Sequence, residues 1–249
     1  MASDWVFGIH AVQSVLESRA DSVEVLYIQK GRNDQKLQVI LNAANSCAVK
    51  VQARPRHELD KLVKGNHQGV VAKVLMARER DEGDLEELIH ALKARGEAPF
   101  FLVLDGVTDP HNLGACIRTA NGAGVHAVIF PRDKSAHLNA TVRKVACGAS
   151  EFTPVIAVTN LARTMKWLQQ NGIWLAGAAG EAESVQSDVN LTGPIAIVMG
   201  SEGKGLRRLT KENCDVLAKI PMSGQVDSLN VSVATGIFLY EAVRQRTAG

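Results

Sequence analysis

Two periods of hydrophobic placement alternate along this chain. Over Gly8–Arg19 the apolar residues Ile9, Val12, Val15 and Leu16 recur at helical spacing. Val23–Ile28 is β-rich, Leu37–Ala44 is again helical, Val49–Gln52 reads as a short strand and His57–Val63 as a short helix. The β-branched run Gly69–Met76 closes this first part. The order α-β-α-β-α-β predicts a small α/β domain over residues 1–76. Residues 77–98 then turn charged and poor in β-branched residues, which predicts a linker with one short helix, Leu85–Lys93. From Pro99 strands and helices alternate again. Strands are expected near 100–104, 126–130, 154–158, 173–178, 195–199 and 216–220, and helices near 112–122, 139–147, 160–171, 205–213 and 230–246. Such alternation predicts a second α/β domain over 99–249, with a mostly parallel sheet covered on both faces. Thr159 or Asn160 suits the N-cap of one of these helices and Gly172 its C′ stop.

Composition adds bounds. The 249 residues, 46% hydrophobic and 22% charged, have ample material for cores. The formal charge of +2 does not by itself point to nucleic acid. Its distribution is uneven: +4 over residues 1–80 (12 Lys/Arg against 8 Asp/Glu) and −4 over 81–98 (2 against 6). A mildly basic first domain is compatible with phosphate contacts. Cys47, Cys116, Cys147 and Cys214 lack any paired metal spacing, and the seven histidines lack an HExxH arrangement, so no metal is expected. His10, His57 and His67 read as surface or capping residues. Without a signal peptide or an apolar run near the ~18 residues of a membrane span, a cytoplasmic protein with reduced thiols and no membrane association is expected.

Three loops could carry chemistry. The first follows the apolar run Phe100–Leu104: Asp105, Gly106, Asp109 and Pro110 break regular structure, and Leu113, Ile117 and Ala120 then start a helical stripe. Asn112 thus falls at a helix N-terminus, as a cap or as a site residue, and Arg118 lies about a turn and a half further on. Ligands of open α/β sheets sit at such strand ends. The second loop, Gly200-Ser201-Glu202-Gly203-Lys204-Gly205, permits close backbone approach but is neither GxxxxGK[ST] nor GxGxxG, so an ordinary nucleotide site is not supported. Glu202 suits a cation or a sugar hydroxyl better than polyphosphate. The third, Ile220–Asn230, supplies Ser223, Asp227, Ser228 and Asn230, more capping residues than one helix needs.

Taken together, Asp105…Pro110-His111-Asn112-Leu113-Gly114…Arg118-Thr119-Ala120, then Val198-Met199-Gly200-Ser201-Glu202-Gly203, then Ile220-Pro221-Met222…Ser228-Leu229-Asn230-Val231-Ser232-Val233-Ala234 resemble the SpoU branch of the SPOUT RNA 2′-O-methyltransferases. Gly8–Val12 and His67-Gln68-Gly69 extend the resemblance over nearly the whole chain. Within the branch, the likeness is to enzymes that methylate a guanosine of 23S ribosomal RNA in the peptidyl-transferase region. The resemblance implies a C-terminal domain with a deep trefoil knot, a first domain resembling an RNA-binding ribosomal protein, and a homodimer. It implies S-adenosyl-L-methionine as methyl donor, held by Gly200, Ile220 and Leu229, and Asn112, Arg118, Glu202, Ser228 and Asn230 as catalytic residues. Some proposals for the family make Arg118 the general base; a guanidinium gives up its proton too reluctantly for that, which favours a phosphate clamp that stabilises the 2′-oxygen. Two rivals are a transfer-RNA enzyme of the same branch and a non-catalytic RNA-binding protein. Aromatic content of only 4% leaves few base-stacking side chains, so recognition by RNA shape and backbone is expected.

Overall fold

The computed structural model describes residues 3–75 and 79–248. Met76, and with it the boundary placed between 76 and 77, lies outside the described residues. The elements run β1 (Ser3–Phe7), α1 (Ile9–Arg19), β2 (Val23–Gln29), α2 (Gln35–Ser46), β3 (Val51–Arg54), α3 (Arg56–Leu62) and β4 (Val70–Leu75). Then come α4 (Glu82–Ala94), β5 (Phe100–Asp105), α5 (Pro110–Gly122), β6 (Ala127–Pro131), α6 (Ala140–Val145), α7 (Ala149–Phe152), β7 (Val155–Val158), α8 (Leu161–Gln170), β8 (Trp174–Ala178) and β9 (Ser184–Val185). The chain ends with β10 (Ile195–Gly200), α9 (Arg208–Glu212), β11 (Val216–Lys219) and α10 (Val231–Ala248). It divides into two compact units, residues 1–78 with 138–152, and residues 79–137 with 153–249.

In the first unit a four-stranded sheet has the order β1-β4-β2-β3, with only β2 and β3 parallel. Strand β1 has no counterpart in the α-β-α-β-α-β expectation; it is a five-residue piece that gains its identity from antiparallel pairing with β4. Val12, Val15, Leu26, Ile40 and Val70 are fully buried together in the core. The Asn66–Gly69 turn serves α1: Gly8 offers no side-chain cap, and Gln68 Oε1 accepts the Ile9 N–H at 3.1 Å instead. His67 is buried. Its Nδ1 accepts the Gly69 N–H at 2.9 Å, so its Nε2 carries the proton and donates to Asp60 Oδ1 at 2.9 Å. The helix expected over 139–147 is the short α6, a second short helix, α7, follows it beyond the expected range, and both belong to this unit. The buried Glu151 carboxylate ties them down, accepting from Arg19 at 2.5 Å and Arg143 at 2.7 Å.

The second unit carries a seven-stranded sheet of order β7-β6-β5-β10-β8-β11-β9, parallel throughout. Its central strands are buried on both faces, as their continuous apolar runs require. Helix α4, inside the stretch read as a linker, is integral here. Asp81 opens it with a capping box, and Leu85, Ile89 and Leu92 are wholly buried against the sheet. Its charged outward face is what made the segment look solvated. The helix expected over 205–213 shortens to α9, because Ser201 and Gly205 pair as a tight hairpin before it. Asn160 is the N-cap of α8 and Gly172 follows its C-cap with φ +80°. Among the described residues no helix is long and apolar enough to cross a membrane, and no group of three or more His, Cys, Asp or Glu side chains could hold a metal ion.

Candidate active site

The carboxy-terminal ends of β5, β10 and β8 lie side by side, with Gly200 in register with Asp105. In a parallel sheet this edge gathers the loops that leave the strands, which is why three distant stretches of sequence meet there. Asp109 caps α5: Oδ1 accepts the His111 N–H and Oδ2 the Asn112 N–H, each at 3.2 Å. Pro110 at the first helical position needs no partner. Asn112 is therefore not the cap, and its amide side chain is available for something else.

That side chain bridges the other two loops. Asn112 Nδ2 donates to Glu202 Oε2 at 3.0 Å, while Asn112 Oδ1 accepts from Asn230 Nδ2 at 2.9 Å. Asn230 Oδ1 in turn accepts the Ser232 N–H at 2.9 Å and the Ser232 hydroxyl at 2.6 Å, closing the N-terminus of α10. The amide orientations follow from this chain. A carboxylate only accepts, so Asn112 must turn its NH₂ to Glu202 and its oxygen to Asn230, whose own oxygen is left for the helix end.

Beside the triad lies a cleft of about 830 Å³, into which Glu202, Gly200, Ile220, Ser228 and Leu229 all face. Its volume suits a nucleoside-sized ligand. The wall at Gly200 is backbone. A Cβ there would stand 2.0 Å from the Gly205 carbonyl carbon, so the returning loop passes directly over it and only glycine fits. Sequence reasoning missed the run Ala178–Glu181 at the end of β8, which also lines the cleft, as do Met199 and Phe238. Its position at the same sheet edge was the available signal.

Arg118 is exposed on α5 and is not among the residues that line the cleft. Cys116 sits beneath the site, its Sγ 3.5 Å from Thr235 Oγ1 of α10. Burial pushes its thiol up to about 11, and partial burial pushes that of Cys214 up to about 12, so neither is a nucleophile near neutrality.

Known proteins match this arrangement along the whole chain. Residues 99–240 match the SpoU rRNA Methylase family and residues 5–80 the family described as RNA 2′-O ribose methyltransferase substrate binding. The 23S rRNA (guanosine-2′-O-)-methyltransferase RlmB of Vibrio parahaemolyticus is 55% identical over 249 residues, 100% of this chain and 99% of that protein. Its namesake from Escherichia coli K12 is 54% identical over 98% of this chain and 100% of its own length. Among solved structures, the SpoU methyltransferase AviRb of Streptomyces viridochromogenes, in complex with the cofactor AdoMet, shares the fold with a TM-score of 0.80. It is 24% identical, with 99% of this chain and 92% of AviRb covered.

Proposed function

This chain belongs to the SpoU rRNA Methylase family, and from that premise we propose that it methylates the ribose 2′-hydroxyl of a guanosine in 23S ribosomal RNA. S-adenosyl-L-methionine is the methyl donor. The observation that carries the reading is the Asn112–Glu202–Asn230 triad standing at the mouth of a cleft walled by Gly200, Ile220 and Leu229.

The cleft fits that donor. Gly200 lets the Gly205 backbone pack directly against the cleft wall, and Ile220 and Leu229 supply apolar surface for a purine. The partial positive charge at the α10 N-terminus suits a carboxylate or phosphate rather than a sulfonium. When bound, the donor supplies an electrophilic methyl group. The protein's part is to hold a ribose hydroxyl in line with it, and such positioning can lower the barrier by roughly 7–11 kcal/mol at best. Asn112 and Glu202 orient the ribose and the Arg118 that a partner chain supplies. Asn230 locks the Asn112 amide, and Ser228 shapes the rim of the cleft. Arg118 clamps a phosphate of the RNA and stabilises the 2′-oxygen as its proton leaves.

Finer features follow the same reading. The match of residues 99–240 to the SpoU rRNA Methylase family supports a deep trefoil knot in residues 99–249. The substrate-binding match over 5–80 and the +4 charge of residues 1–80 support an RNA-binding role for the first domain, akin to a ribosomal protein. Val233 and Tyr240, one heptad apart and both exposed on α10, support a homodimer. The exposure of Arg118 and its absence from the cleft lining of its own chain support its acting at a partner's site. A target in the peptidyl-transferase region and a cytoplasmic location accord with a ribosomal RNA substrate. The experiment is a ribose-methylation map of ribosomal RNA from cells with and without this protein. Loss of one 23S guanosine 2′-O-methyl mark is expected; an unchanged 23S map with a lost transfer-RNA mark would overturn the reading.

A further inference from the structure

Asp105 ends β5 with no exposure to solvent, a place where a carboxylate survives only with strong partners. Its partner is Arg207. Oδ2 accepts the Arg207 backbone N–H at 2.9 Å, Oδ1 accepts Nε at 2.5 Å, and Nη2 of the same guanidinium also reaches Oδ1. Between β10 and Arg207 the chain forms the hairpin that carries Glu202. Ser201 N–H donates to the Gly205 carbonyl at 3.1 Å, and Gly205 N–H to the Ser201 carbonyl at 2.9 Å. One leg of the hairpin is β10, whose last residue, Gly200, pairs in register with Asp105. The other leg ends on Arg207. Both legs are therefore anchored at the same residue, one beside the Asp105 backbone and the other on its buried carboxylate, and Glu202 is held between them.

We propose that Asp105, acting through Arg207, is a positioning residue for the reaction: it fixes the Glu202 hairpin and, through Glu202, the orientation of Asn112. Neither Asp105 nor Arg207 lines the cleft, so the pair contributes geometry rather than contact. Both carboxylate oxygens are needed, one for the backbone N–H and one for the guanidinium. An amide in place of the carboxylate would turn its NH₂ toward one of those donors. The inference rests on the triad serving methyl transfer, and its test separates the two.

Single-turnover methyl transfer to 23S rRNA, with cofactor and RNA saturating, is measured for Asp105→Asn, Arg207→Lys, Glu202→Gln and the two doubles with Glu202→Gln. Each clamp variant is expected to lower the rate by about a hundredfold, the scale of a 1 Å misplacement. KM for RNA should stay within about threefold. In the doubles, the clamp change should add no further loss to Glu202→Gln, because both act on one unit. Losses that multiply, or a clamp variant with the wild-type rate, would overturn the proposal. Arg207→Lys retains the charge and the backbone donor, which guards against the case in which Asp105→Asn does not fold. Amide exchange in the cofactor-free protein gives an activity-independent readout. Ser201 and Gly205 should exchange at least about tenfold faster in Arg207→Lys, with β5 and β10 unchanged. Unchanged exchange at those two amides, or loss spread over the sheet, would sink the clamp. A wild-type protein that leaves 23S rRNA unmethylated would sink the functional reading instead.

Discussion

Helices α5 and α10 enter the site by the same end, yet they divide their duties differently. At α5 the cap and the site residue are separate: Asp109 takes two backbone N–H groups, and Asn112, three residues on, keeps its amide for Glu202 and Asn230. At α10 one residue does both, since Asn230 Oδ1 closes the helix while its Nδ2 fixes Asn112. Stability and activity should therefore come apart by mutation at α5 and fall together at α10.

The largest effect is expected from Asn112→Ala. It removes the link to both other loops, and methyl transfer should fall by about a hundredfold or more. The Asp109 cap is untouched, so the cost in stability should stay within about 0.5 kcal/mol. Single-turnover rates and a urea melt measure the two; a melt shifted as much as that of a capping mutant would refute the separation. Next comes α10. Asn230→Ala should lose a comparable factor in rate and also about 1 kcal/mol for the missing cap. Asn230→Asp sharpens the contrast. The carboxylate still accepts the Ser232 N–H, so stability is largely kept, but it presents an acceptor to Asn112 Oδ1 and activity should fall as in the alanine variant. Equal behaviour of the two variants in the melt would show that Asn230 does not cap. Asp109→Ala, the mirror experiment at α5, should cost about 1 kcal/mol while the rate drops only about several-fold.

The same contrast explains what could be read in advance. Phe100–Leu104 and Ile195–Met199 are legible as strands because full burial in a parallel sheet demands unbroken apolar runs. Asn112 was ambiguous on composition, since Asp109 and Asn112 are both capping types within four residues; only the geometry assigns the cap to Asp109. Strand β1 was missed because five residues carry too little periodicity, and its partner β4 lies some seventy residues away. Helices α6 and α7 look like any others in the alternation, and nothing local says that they pack with the first unit. The Asp105–Arg207 pair spans 102 residues, and Asn112 reaches Glu202 across 90 and Asn230 across 118. Such contacts leave no local periodicity. The site residues were legible only through their joint resemblance to a family.

The smallest effect concerns the place where α5 and α10 touch beneath the site. The Thr235 hydroxyl donates to the Val231 carbonyl at 2.7 Å, so its oxygen is left to accept from the Cys116 thiol. The thiol must then stay protonated, and burial pushes it from 9.0 up to about 11. The folded-state value being the raised one, stability is complete below about pH 9, falls as the unfolded thiol ionises first, and levels off near pH 11. At pH 10 the loss should be about 1 kcal/mol, and at neutral pH nothing. Urea melts of wild type and Cys116→Ser between pH 7 and pH 10.5 test this. Serine keeps a donor toward Thr235 without titrating, so the difference between the two proteins should narrow or reverse as the pH rises. A gap that stays constant with pH would mean that the thiol already ionises in the fold, and that the α5–α10 contact is wetter than its burial indicates.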